Sequence, residues 1–221
     1  MAEPQLSLRE RKKLDTKRQV IHVANKLFRK HGYDAVTLEQ IADTCVMSVR
    51  TILRYFTTKE GLALAVEHDL LEEFRSQLQM RETDAVTCWR NFHNETIHLM
   101  ETPESRKRMQ AIFSTPPLLA EFLRIAEGYQ ESLADAIAEE SGDSAPSLET
   151  SVFATLLVSS TSAAFRRWLE SDEPFDRVVL QDIVDRVCSA FDHRAKAGAR
   201  RARTRNGAVS AIGKKRASSR G

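Results

Sequence analysis

Between Pro4 and Pro103 the chain has no proline, and between Gly61 and Gly128 it has no glycine. Turns between strands consume both residues, because glycine reaches positive φ and proline pre-sets the φ of a turn. A chain of 221 residues with 8 Gly and 6 Pro therefore has too few breakpoints for a barrel or a sandwich. It is expected to be all-α and built from long helices. The length suits a small domain plus a medium one, with enough chain to bury a sizeable core.

Apolar spacing supports this reading along the chain. Residues 7–31 read as one helix. Ser7 and Glu10 have capping-box spacing, Ile21, Ala24, Leu27, Phe28 and His31 recur at helical intervals, and Gly32 supplies the left-handed exit. Thr37 and Gln40 repeat the capping box and open a short second helix, with Leu38, Ile41, Ala42 and Cys45 inward. After a break at Val46 and Met47, Ser48 caps a third short helix whose apolar positions are Val49, Ile52, Leu53 and Phe56. Thr57 and Glu60 have the same spacing again. They predict one long fourth helix to about Gln79, with Leu62, Ala65, Val66, Asp69, Leu70, Phe74 and Leu78 on one side. Further helices are expected near 84–101, 104–114, 117–140, 148–170 and 175–193, with a loop over residues 141–147. Small residues from Ser159 to Ala164 let another helix approach the 148–170 helix closely.

Several classes are excluded by what the chain lacks. No apolar run approaches the ~18–20 residues that cross a bilayer. The charged opening MAEPQLSLRERKK has no apolar stretch of the kind a signal peptide needs. A cytoplasmic protein is expected. Cys45, Cys88 and Cys188 are odd in number and far apart, and read as small buried hydrophobes. His93 and His98, five residues apart, fall on different helix faces with no cysteine or acid to complete a metal site. No Gly-rich phosphate loop, GxSxG elbow or HExxH motif is present, which speaks against an enzyme, and no cofactor is expected.

The net charge of +2 hides a partition. Residues 1–60 hold 12 Lys+Arg and 7 Asp+Glu, residues 61–193 hold 11 and 24, and residues 194–221 hold 10 and none. Two basic ends thus flank an acidic middle. This predicts three parts: a basic head (1–60), a helical body (61–193) and a disordered basic tail (194–221). Basic segments attract a polyanion and the acidic body repels it.

Residues 37–56 have helix-turn-helix spacing, with two short helices and a tight break between them. The free N–H groups at the start of the first helix suit a phosphate, and Thr37 caps that end. In the second helix Ile52 and Phe56 hold the core, while Val49, Arg50, Leu53 and Arg54 lie at or near the exposed face. Arg50 is the best base reader, because its fork matches the two acceptors of guanine. Tyr55 and Lys59 suit phosphate contacts, which position without specifying.

Together these residues resemble the TetR family of bacterial transcriptional regulators. The matching text is Arg18-x-x-Ile21-x-x-Ala24-x-x-Leu27-Phe28-x-x-x-Gly32-Tyr33, Thr37-Leu38-x-x-Ile41-Ala42, Ser48-x-x-Thr51, and Arg54-Tyr55-Phe56-x-x-Lys59-Glu60-x-Leu62. The resemblance implies an all-helical homodimer with an N-terminal three-helix DNA-binding head and a larger domain for effector and dimerisation. It places phosphate contacts on Thr37, Tyr55 and Lys59, and base-facing positions on Ser48, Val49, Arg50 and Leu53. The dimer would form through the helices near 148–170 and 175–193. Two positions depart from the family pattern. Val46 stands where the family has a turn glycine, and a β-branched residue disfavours positive φ. Leu53 stands where tyrosine is frequent, and leucine packs on a thymine methyl instead of donating a hydrogen bond.

The second half resembles the branch of that family with an acyl-CoA-like ligand-binding domain, the carrying text being Leu8-Arg-Glu-Arg-Lys-Lys13, Arg54-Tyr-Phe-x-x-Lys-Glu60, Met109-x-x-Ile112-x-x-x-Pro116-x-Leu118 and Phe165-Arg-Arg-Trp-Leu169. Trp89, Phe92, His93, Met100, Met109, Phe113, Phe122, Tyr129 and Phe165 concentrate in the body, as either an apolar effector pocket or an ordinary helical core. Glu95, Glu127 and Arg166 are either polar groups of that pocket or surface charges. The leading expectation is a repressor released from a palindromic operator in double-stranded DNA by a lipophilic small molecule. The alternative is a nucleoid-type architectural protein in which the basic tail dominates.

Overall fold

The computed structural model describes residues 7–96, 99, 102–171 and 178–190. No strand occurs among the described residues. The basic tail, His98, Met100 and the outer ends of the expected 175–193 helix lie outside them. By backbone contacts the chain divides into two units, residues 1–81 with 103–129 and residues 82–102 with 130–221.

The first unit begins with α1 (Leu8–His31), whose capping box is formed in both directions. Glu10 N–H donates to Ser7 Oγ at 3.3 Å, and Ser7 N–H donates to Glu10 Oε2 at 2.8 Å. Residues 7–15 are exposed throughout, and burial of α1 begins with Val20 and Ala24. The helix ends at Gly32, with φ +83°. Next come α2 (Leu38–Cys45), capped by Thr37, and α3 (Val49–Phe56), capped by Ser48. Val20, Ala24, Val36, Ile41, Ala42, Cys45, Ile52, Phe56, Leu62 and Ala65 form one core. That core sets the α2–α3 angle and so decides which side chains of α3 face out.

The turn between α2 and α3 is closed by a Schellman pair. Met47 N–H donates to the Ala42 carbonyl at 2.9 Å and Val46 N–H to the Asp43 carbonyl at 3.1 Å. Val46 therefore sits in the left-handed region, at φ 55° and ψ 48°, with its side chain 91 % exposed. The turn expected from a glycine is made here by valine, which gains no packing in exchange for the strain. Val46→Gly is expected to stabilise the chain by about 1 kcal/mol, the left-handed cost less the extra entropy glycine loses. A melting curve checks this, and a lower Tm for the glycine variant would contradict it.

The expected fourth helix departs from its sequence pattern in two ways. Its cap is Thr58, whose Oγ1 accepts from Gly61 N–H at 2.9 Å, and not Thr57. Thr57 lies at φ 61° and ψ −46°, and Thr58 N–H donates to the Phe56 carbonyl at 2.6 Å, the bond of a γ-turn. The same carbonyl crowds residue 61, where a Cβ would come within 2.5 Å of the oxygen, so glycine is the residue that fits. The helix is then interrupted at Leu64 (φ −102°, ψ 23°), giving α4 (Lys59–Ala63) and α5 (Ala65–Met80). The break shifts the buried face. Glu67, Leu71, Phe74 and Leu78 point inward, whereas Val66 and Asp69 are exposed and Asp69 pairs with Lys17.

Buried Glu67 is met by Arg108 of α7 (Pro103–Ser114), whose two terminal nitrogens donate to its carboxylate at 2.5 and 2.6 Å. One of them also reaches the Ala63 carbonyl at 3.2 Å, beside the helix break. Helix α8 (Pro116–Glu140) starts on prolines, whose missing N–H costs nothing in a first turn. The boundary between the units falls within it, after Tyr129.

The second unit contains α6 (Ala85–Thr96), the C-terminal part of α8, α9 (Leu148–Leu169) and a helical segment over 178–190. The Glu140 carboxylate accepts from Ala85 N–H at 2.7 Å and Asp84 accepts from Thr87 N–H at 2.9 Å, so two acids cap α6. Arg90 pairs with Asp185 and Gln181 donates to Asn94, which lays the 178–190 segment antiparallel along α6.

Candidate nucleic-acid interface

Helix α3 has a sharply divided surface. Ile52 is fully buried and Phe56 nearly so, while Arg50 and Arg54 are exposed, one turn apart on the opposite side. The spacing follows from the helical period: residues two positions either side of Ile52 point about 160° away from it. The sequence-predicted residues separate accordingly. Arg50 and Arg54 face outward, Leu53 is half-buried at the side, and Val49 and Tyr55 are half-buried against the core. The Arg54 guanidinium lies 5.4 Å from the Tyr55 ring centroid, which steadies the charged end of an otherwise exposed side chain.

Thr37 and Ser48 are both exposed caps. Thr37 Oγ1 accepts from Gln40 N–H at 3.3 Å, and Ser48 Oγ accepts from Thr51 N–H at 3.1 Å and bonds the Thr51 hydroxyl at 2.9 Å. Glu39 sits beside the first of these. Its own backbone N–H, and then the Thr37 hydroxyl, hold its carboxyl below the usual value.

Lys59 is already engaged. Its ammonium donates to the Tyr33 carbonyl at 2.7 Å and lies 4.0 Å from the Tyr33 ring centroid. The Tyr33 hydroxyl donates in turn to Glu60 Oε1 at 2.5 Å. Burial first, and the Glu60 carboxylate second, push the Tyr33 phenol well above its ordinary pKa. This clasp joins the end of α1 to the start of α4 and brings Lys59 to the chain that leads to Thr37. The contact between Lys59 and Tyr33 spans 26 residues, so no local spacing announces it. Its only local signal was an aromatic and a lysine flanking the helix-turn-helix.

The candidate effector residues divide between the two units. Met109, Phe113, Phe122 and Tyr129 belong to the first, with Phe113–Phe122 ring centroids 5.3 Å apart and Phe74–Tyr129 centroids 5.4 Å apart. Trp89, Phe92, His93 and Phe165 belong to the second, with His93 edge-on to Trp89 at 4.0 Å. Trp89, Phe92 and Met109 are buried, while Phe165 is half-buried. Met100 lies outside the described residues.

The family model for bacterial regulatory proteins of the tetR family matches residues 20–66, and the model of the MftR C-terminal domain matches residues 92–194. MftR of Mycobacterium tuberculosis, whose name assigns it to transcriptional regulation of mycofactocin biosynthesis, is 27% identical over 171 residues, 73% of this chain and 84% of that protein. The HTH-type transcriptional regulator TcmR of Streptomyces glaucescens is 31% identical over 145 residues, 61% of this chain and 64% of that protein. Among solved structures, the Thermus thermophilus FadR repressor in complex with lauroyl-CoA has the same fold. Its TM-score is 0.52 and its identity 16%, with 79% of this chain and 92% of that chain covered.

Proposed function

Because the chain belongs to the TetR family of bacterial regulatory proteins, we propose that it is a cytoplasmic repressor that grips a palindromic operator as a homodimer and lets go when a lipophilic effector binds. As a TetR-family regulator it is a helix-turn-helix protein of transcription and not an enzyme. The observation that carries the operator reading is the outward face of α3. Arg50 and Arg54 project from a helix whose other side is locked into the core, so the reading side chains are presented without freedom to roll. Arg50 would read a guanine edge. Thr37, Ser48, Tyr55 and Lys59 would hold phosphates, with Val49 and Leu53 bordering the bases.

Dimerisation is supported by α9. Against the expectation that no apolar run is long enough to cross a bilayer, α9 is long and apolar enough by length and composition, and it carries Leu148, Val152 and Leu156 exposed at four-residue intervals. A stripe of that kind is covered in solution, and a second copy of α9 covers it in the symmetric arrangement commonest for oligomers. The small residues Ser159 to Ala164 further along the helix permit close approach. An acyl-CoA-like effector is in keeping with the aromatic residues of the body, and the FadR repressor of similar fold accommodates lauroyl-CoA.

Selection of bound fragments from a random DNA pool tests this reading. A dimer should return two inverted half-sites about one helical turn, roughly 34–36 Å, apart. Enrichment of no sequence would replace it with the architectural reading. In the same assay Arg50→Ala is expected to relax preference at one base position of each half-site. The loss of operator affinity should be about 1–3 kcal/mol if its contact is bidentate. An unchanged consensus would remove Arg50 from the reading role.

A further inference from the structure

Among the side-chain polar atoms that α6 seals from solvent, Arg90 Nε and His93 Nε2 have no hydrogen-bond partner. They are three residues apart, so they share a helix face with Cβ atoms about 5–6 Å from each other. Folded proteins rarely leave such atoms unmet, and where they do a ligand or a water is the usual occupant. We propose that Arg90 and His93 form the polar end of the effector site and take the uncharged carbonyl oxygen of an otherwise apolar ligand. This deepens the effector reading above and rests on it.

The chemistry narrows the ligand. An Arg Nε–H only donates, so an atom shared with it must be an acceptor. Burial lowers the His93 pKa to about 4, so at neutral pH the ring is uncharged and, in its Nε2–H tautomer, donates as well. Two donors on one helix face suit a carbonyl oxygen with two lone pairs. Charge argues against a phosphate or a carboxylate. Arg90 is already neutralised by Asp185, 2.7 Å away, and His93 adds no charge of its own. The surroundings are apolar: the Trp89 ring stands edge-on to His93, the Phe92 centroid is 6.0 Å from it, and Trp89 and Phe92 are buried. The ligand class is therefore an ester, thioester or ketone on a hydrocarbon body.

A matched ten-carbon series tests this on the full-length chain: 2-decanone, 1-decanol, decanoate and decane, titrated against tryptophan fluorescence. The wild type is expected to bind 2-decanone about ten- to a hundredfold tighter than decane, the net value of two added hydrogen bonds. Arg90→Met and His93→Leu should each erase most of that preference while keeping decane affinity, and His93→Gln, which still donates, should restore part of it. Asp185→Asn, which loosens the ion pair but keeps Nε, should leave the ketone preference in place. Both apolar variants should melt at or above the wild-type temperature, because each removes an unmet polar atom. Equal affinity of the wild type for ketone and decane overturns the proposal and leaves the effector reading standing. So does a ketone preference unchanged in Arg90→Met and His93→Leu. If none of the four binds the wild type, both the carbonyl site and the lipophilic-effector reading fall.

Discussion

Arg108→Ala is expected to be among the most destabilising single changes in the chain. The Glu67 side chain is only 6% exposed, and Arg108 supplies both hydrogen bonds to its carboxylate. Removing the guanidinium leaves a charge in a site from which water is largely excluded. Breaking a buried pair in this way costs ~3–5 kcal/mol, and the lower end applies because the arginine keeps part of its surface in water. For a chain of this size that is a fall in Tm of about 6–12 °C, measured at one fixed protein concentration because the proposed dimerisation would contribute to the apparent stability. The double variant Glu67→Met/Arg108→Leu should recover most of the loss, since an apolar pair of similar volume replaces the ion pair without stranding a charge. A double variant as unstable as Arg108→Ala would mean that the guanidinium acts chiefly through the Ala63 carbonyl at the helix break.

Deleting residues 194–221 is expected to flatten the salt dependence of operator binding while sparing sequence preference. The segment carries ten basic residues and no acid, and it lies outside the described residues. Each phosphate neutralised contributes about 0.9 to the slope of log K against log salt. If a quarter of the basic residues on the two tails of a dimer engage, about five in all, the slope falls by about 4–5, which changes the affinity ratio between 50 and 200 mM salt by roughly 500-fold. The consensus from the random pool should be the same with and without the tail, because backbone contacts hold but do not read. A full slope after truncation would show that the tail does not touch DNA, and a lost consensus would favour the architectural reading.

What was legible beforehand depends on the distance along the chain over which each feature is written. The Ser7–Glu10 and Thr37–Gln40 capping boxes and the Ser48 cap involve partners three residues apart, and all three form as their spacing predicts. The alternation of Ile52 and Phe56 with Arg50 and Arg54 is local in the same sense. The fourth helix departs from its spacing because Thr57 and Thr58 are both competent caps and only the γ-turn at Thr57 hands the role to Thr58. The interruption at Leu64 carries no glycine or proline to announce it. With it went the buried face, so that Val66 was expected inside and Glu67 was not.

Sequence by itself determined the helical class, the helix-turn-helix, the polarity of α3 and the uneven spread of charge, because these follow from residue type and a period of three to four positions. Tertiary structure decided the rest. Lys59 meets Tyr33 across 26 residues, Arg108 meets Glu67 across 41, and His68 bonds Glu121 across 53. Which long-range partners meet is set by how the helices cross, and the crossing is settled by the whole packed core at once. No local pattern records it, so the clasp on Lys59, the guard on Glu67 and the unmet pair on α6 became visible only when the chain was folded.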